Sequence, residues 1–316
     1  MSERVPVFLG IFFAAALGPA AADWIWTPEN GWVNTSYGGR EAVGTRLDEA
    51  RALQSAGRHA EAAELYSSVL EEAEPGSWTE EALFQAGESD YQAGNYYRAH
   101  INFERLLTEY PATPRLTAVM EREYRVGSAL VRGEKKKELF WPIEIASKEE
   151  GVEILRQVVE LYPLGEFADD ARFTIANYYF QEGRFLEAME EYRALREEDE
   201  YKNSEWREVA LFQIARCQEA PYEGPRYDVT PLKEAVETYR NYQAEAPEGS
   251  KVPEARAREK EIALELAKND FLVAKWYLQW DRPKAAAVLL REIVELHPDA
   301  PEAEEARELL SELGNP

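Results

Sequence analysis

Ala99-His100-Ile101-Asn102-Phe103-Glu104-Arg105-Leu106-Leu107-Thr108-Glu109-Tyr110-Pro111 decides the fold. A small residue opens the stretch, a large apolar one stands four places on, and proline closes it at the twelfth. The same offsets lead from Gly151 through Leu155 to Pro163, and from Ala286 through Leu290 to Pro298. Ala99, Phe103 and Leu106 recur at the spacing of one helix face. The small residue lets a second helix come close, and the large one packs beside it. Proline ends the helix because it has no N–H and its ring clashes with the turn before it. This is the second half of a helix–turn–helix repeat of about 34 residues.

The spacing predicts an all-α fold, a right-handed α-solenoid of about six such helix pairs with a C-terminal capping helix. The array runs over residues 45–316, the first pair starting at Thr45. Gly57, Gly94 and Gly183 stand where the turn inside a pair needs a left-handed residue. Asp90 falls where such repeats usually carry an aromatic, so its partner is open. Two insertions interrupt the pattern, at Lys135–Ile145 and Ala220–Asp228. The last pair opens with a helical stretch from about Pro253 to Leu278, nearly twice the usual length. Pro301 to Leu313 reads as the closing helix, acidic on its outer face.

Ahead of the array, residues 1–22 read as a signal peptide: Arg4, an apolar run from Val5 to Leu17, then Ala20-Ala21-Ala22 before Asp23. Aspartate follows the expected cleavage point where a lipidated protein would carry cysteine. Residues 23–44 read as an extended segment, with Trp24, Trp26 and Trp32 among turn formers. It either packs over the end of the first repeat or serves as a docking peptide.

The chain carries 60 acids against 36 lysines and arginines, a net charge of −24. Nucleic acid and anionic lipid surfaces repel such a protein. The apolar leader is too short to span a bilayer comfortably, and no later stretch reads as a transmembrane helix. A single cysteine, Cys217, excludes an internal disulfide, and its apolar surroundings predict a buried thiol. His59, His100 and His297 lie far apart in no metal-binding spacing, and no phosphate-cradling glycine loop is present. The sequence therefore points to binding without catalysis, metal or cofactor.

The positions quoted are those of tetratricopeptide repeats. The order of parts further resembles the BamD (YfiO) family, a component of the machinery that folds β-barrel proteins into bacterial outer membranes. Three features carry the resemblance: a secretion signal before the repeats, an aromatic insertion in the third repeat, and the helical run Arg258–Tyr277 leading into the last one. The resemblance implies a periplasmic scaffold, peripheral to the outer membrane. Its partners would be unfolded outer-membrane protein segments and the periplasmic domains of the barrel-assembly protein. The alternative is a generic periplasmic scaffold of the Tol–Pal cell-division type, which has similar repeats but usually a leading coiled coil.

Repeat register places a peptide-binding groove on the first helices of the pairs: Leu47, Arg51, Gln54, Phe84, Glu88, Tyr91, Gln92, Phe173, Asn177 and Phe180. Rings supply contact area and amides pair with a peptide backbone. Phe84, Tyr91 and Phe180 fit packing between adjacent repeats equally well. Phe140, Trp141 and Ile143 in the first insertion form an apolar strip, read either as folded into the groove or as docking a partner. Arg282 and Arg291 are the candidate partner contacts in the last repeat.

Overall fold

The computed structural model describes residues 24–27, 31–72, 78–134 and 147–314. The leader and the strip of Phe140, Trp141 and Ile143 lie outside the described residues. The chain divides into two compact units, one ending at Thr113 and one beginning at Pro114.

The first unit opens with strands β1 (Trp24–Thr27) and β2 (Gly31–Asn34), paired antiparallel with Trp26 opposite Trp32. Four helices follow: α1 (Thr35–Ser55), α2 (His59–Glu72), α3 (Thr79–Ala93) and α4 (Tyr96–Glu109). The extended reading of residues 23–44 thus extends only to Asn34, and α1 starts at Thr35, ahead of Thr45.

The second unit contains α5 (Leu116–Val131), α6 (Lys148–Leu161), α7 (Ala168–Gln181) and α8 (Phe185–Glu197). A 3-10 turn at Asp199–Tyr201 leads to α9 (Trp206–Glu219), α10 (Thr230–Glu245), α11 (Val252–Gln279), α12 (Pro283–Leu296) and α13 (Ala303–Leu313). In each unit every helix packs on the next, and in the second unit α5, α7 and α9 also touch in turn. Among the described residues these helices make six pairs of an α-solenoid fold, two in the first unit and four in the second, with α13 closing the second unit. The long helix of the last pair falls at Val252–Gln279 as the sequence predicts.

Local chemistry sets the boundaries. Gly57, Gly94 and Gly183 take positive φ in the turns within their pairs, and Asp281 (φ 50°) fills the equivalent place between α11 and α12. Aspartate tolerates that conformation better than most side chains. Helix α6 starts on a capping box: the Glu150 backbone N–H donates to Ser147 Oγ, and the Ser147 N–H donates to the Glu150 carboxylate.

The small residues of the repeat lie at the helix contacts. Ala99, Ala188 and Ala286 are fully buried, as are Phe103, Tyr192 and Leu290 four places on. Cys217 sits in the core with Tyr192, Tyr201 and Ile214, and burial pushes its thiol up to about 12. Because the thiolate is the reactive form, labelling of the native protein near pH 8 is expected to run roughly 10³-fold slower than for a free thiol. Ellman's reagent should therefore titrate Cys217 only after unfolding in guanidinium. Rapid reaction of the native chain would place the thiol outside the core.

Candidate functional site

Apolar residues three apart on a helix share a stripe, and Leu47 and Ala50 of α1 are both buried. Leu47 therefore belongs to the core, which corrects its placement on an open binding face. The Gln54 side chain is also engaged: its Nε2 donates to Gln85 Oε1 (3.0 Å), while the Tyr66 hydroxyl donates to its Oε1 (3.4 Å). Gln85 in turn donates to Glu81 (2.8 Å). The amide ties α1, α2 and α3 together.

Phe84 is half-buried with its ring 6.2 Å from Phe103, and Tyr91 lies 5.7 Å from Tyr96. Glu88 is half-buried; Arg51 and Gln92 are exposed, Arg51 pairing with Asp48 at 2.7 Å. The first unit thus presents partly covered rings on α3 beside open polar side chains.

In the second unit, α7 carries the remaining groove candidates. Phe173 stacks on Trp206 of α9 at 4.0 Å between ring centroids, and the Trp206 indole N–H donates to Asp170 (2.6 Å). Burial raises the Asp170 carboxyl, and that hydrogen bond opposes the rise. The Asn177 side chain accepts from the buried Tyr192 hydroxyl (2.8 Å). Phe180 packs edge-on to Phe185, and the Arg216 guanidinium lies over its ring at 4.5 Å. These side chains knit α7 to α8 and α9. Behind them, Glu191 lies between Arg172 (3.2 Å) and Arg156 (3.5 Å). Burial raises its carboxyl and the two arginines oppose that shift.

Arg282, at the start of α12, and Arg291, in its middle, are both exposed. Two features escape a reading by repeat register. Trp276 and Trp280 stand exposed one turn apart at the end of α11, 5.9 Å between rings. Lys233, Arg256 and Lys260 of α10 and α11 gather around one cleft. A tryptophan pair at i, i+4 is visible in sequence, whereas cations on two helices come together only in the fold. No described helix is long and apolar enough to cross a membrane.

Pairs of helices mostly 13 to 16 residues long, turned by left-handed residues and packed in sequence, define a tetratricopeptide-repeat protein. A tetratricopeptide-repeat profile matches residues 81–113, which contain α4 and nearly all of α3. The profile of the YfiO family, described as outer membrane lipoprotein, matches residues 143–314, more than half of the chain, and the protein belongs to that family. No curated protein matches the chain. Among solved structures, MamA of AMB-1 shares 18% identity over 67% of this chain and 95% of its own, with a TM-score of 0.38. A tetratricopeptide repeat protein from Parabacteroides merdae ATCC 43184 shares 13% identity over 86% and 99%, with a TM-score of 0.38. The apo form of RapI shares 11% over 86% and 99%, with a TM-score of 0.35.

Proposed function

We propose that this chain is a non-catalytic scaffold subunit of the outer-membrane β-barrel assembly machinery. It acts in the periplasm, peripheral to the outer membrane. It binds unfolded outer-membrane protein segments and the periplasmic domains of the barrel-assembly protein. The observation that carries this reading is the YfiO match over residues 143–314, which takes in every helix from α6 to α13. The half-covered rings and open polar side chains on the first helices support it, since such surfaces suit extended peptides. Arg51, Gln92, Phe84 and Tyr91 in the first unit and Phe180 in the second are the proposed peptide contacts. Arg282 and Arg291 are the proposed partner contacts, with Phe140, Trp141 and Ile143 as a further docking strip.

Affinity purification of the tagged full chain from detergent-solubilised envelopes tests the reading. The barrel-assembly protein is expected to copurify, and Arg282→Glu with Arg291→Glu to reduce its recovery. Recovery of Tol–Pal components in its place would overturn the proposal in favour of the cell-division scaffold.

A further inference from the structure

Helix α11 has 28 residues, twice the 14 of α12, and that excess length opens a cleft. Helix α10 packs on its first half: Leu232, Ala235 and Tyr239 share a core with Val252, Ala255 and Ile262. Helix α12 packs on its second half, where Leu290 and Ile293 meet Ala267, Phe271 and Ala274. In an array of equal helices the second helices of successive pairs lie side by side. Here the length of α11 draws α10 and α12 apart. A cavity of about 460 Å³ is left over its middle, with His297 at the end of α12 on its rim.

The lining of this cavity runs against the charge of the whole protein. Lys233 and Arg240 of α10 and Arg256 and Lys260 of α11 line it, against one carboxylate, Glu259. Glu259 is already engaged, by Arg240 Nε at 2.6 Å and Gln243 Nε2 at 3.0 Å. Arg256 donates to the neutral Gln243 side chain (3.2 Å). Among the described residues, Lys233, Arg256 and Lys260 have no carboxylate within ion-pair distance, although the net charge is −24. Asp270 lies close enough to feel Lys233 and His297, and burial raises its carboxyl. The floor is apolar, made by Val236, Ala263 and Leu266.

We propose that this cleft is a binding site for a short, extended, acidic peptide segment of a partner protein. The cations spread along the helices rather than converging on a point. Lys233 to Arg240 spans roughly 10 Å of helix, and Arg256 to Leu266 roughly 15 Å. An extended chain advances about 3.3 Å per residue, so the cleft holds roughly three to five residues. Alternate side chains of such a segment point to opposite sides, acids toward the cations and apolar groups toward the floor. Inorganic phosphate would leave that floor unused. A flat anionic bilayer would also leave that floor unused and is repelled by the net charge of −24. The inference does not depend on the assembly role, because any partner with such a segment would fit.

The test is fluorescence anisotropy on the full chain with a labelled peptide of alternating glutamate and leucine, compared with its glutamine-for-glutamate analogue. The acidic peptide is expected to bind about tenfold more tightly than the analogue, and more weakly as salt rises from roughly 50 to roughly 300 mM. Combining Lys233→Glu, Arg256→Glu and Lys260→Glu should weaken it about tenfold or more while leaving circular dichroism unchanged. Should that triple variant unfold, Lys260→Glu alone should still weaken binding measurably. Equal binding of both peptides, unchanged affinity in a folded variant, or no binding by the wild-type chain would overturn the proposal. Lysine-dependent binding of phosphatidylglycerol vesicles without peptide binding would assign the cleft to lipid phosphate instead. The assay contains no assembly protein, so its failure is separable from failure of the copurification.

Discussion

Gly151→Ala is expected to destabilise the second unit by roughly 2–3 kcal/mol, although helix propensity alone predicts the opposite sign. Alanine in a helix interior is favoured over glycine by about 1 kcal/mol. Contact geometry outweighs that gain. A Cβ on Gly151 would lie 2.8 Å from the Gly127 carbonyl oxygen, 2.8 Å from Leu130 Cβ and 2.9 Å from the Val131 nitrogen. Two of those atoms are backbone, so no rotamer change relieves the clash. The facing position is as tight, since a Cβ on Gly127 would meet Leu155 Cγ at 2.7 Å and the Gly151 carbonyl oxygen at 2.9 Å. Helices α5 and α6 therefore touch backbone to backbone, and an added methyl must drive them apart. That separation would loosen Leu155 and Val126, both fully buried. Gly44 in α1 supplies the control: nothing lies within 4 Å of its added Cβ, so Gly44→Ala should stabilise by about 0.5–1 kcal/mol. Guanidinium unfolding followed by Cys217 labelling reads the second unit and so the Gly151 variant, while amide hydrogen exchange on peptides from α1 reads the Gly44 control in the first unit. A Gly151→Ala protein as stable as wild type would mean that α5 and α6 do not meet there.

The same glycine opens one of the three proline-ended stretches, which shows what the repeat period makes legible. Small-to-large spacing identifies which residue faces a neighbouring helix, because close approach is a property of one position and its own backbone. The period also finds α11 to within a residue or so at each end. It misses the start of α1, where Gly38, Gly39 and Gly44 each lower helix propensity, yet the helix forms from Thr35. The binding face is less legible for a different reason. Gln54 and Asn177 lie on first helices as the register requires, but their amides are engaged by Gln85, Tyr66 and Tyr192 on other helices. Trp206 likewise covers Phe173 from 33 residues away in the chain. Pairings between elements depend on side-chain reach across a packed interface, and one helix's periodicity carries no information about them. The cationic cleft is the extreme case: the length of α11 is readable, but the gap it opens between α10 and α12 exists only once both have packed.

Asp90→Ala should cost the first unit roughly 3 kcal/mol, because a buried charge there holds α3 to α4. The side chain is fully buried at a position where these repeats usually place an aromatic ring. Its oxygens accept from Asn95 Nδ2 and Asn102 Nδ2, each at 3.1 Å, and Arg98 Nε approaches to 3.5 Å. A carboxylate out of water is tolerable only with such compensation. Hydrogen bonds to a charged acceptor contribute about 1.5–3 kcal/mol each; deletion removes both, and Asn102 Nδ2 keeps its bond to the Arg98 carbonyl oxygen (3.1 Å). Arg98 is half exposed, so solvent screening makes its share the smallest. Asp90→Asn separates charge from shape: it keeps the volume and one acceptor oxygen, and should fall between wild type and alanine. Hydrogen exchange read on peptides from α3 and α4 localises the effect, with faster exchange expected there in Asp90→Ala. Unchanged protection in both variants would show that α3 and α4 are held by their apolar stripe of Leu83, Ala86, Ala99 and Phe103 alone.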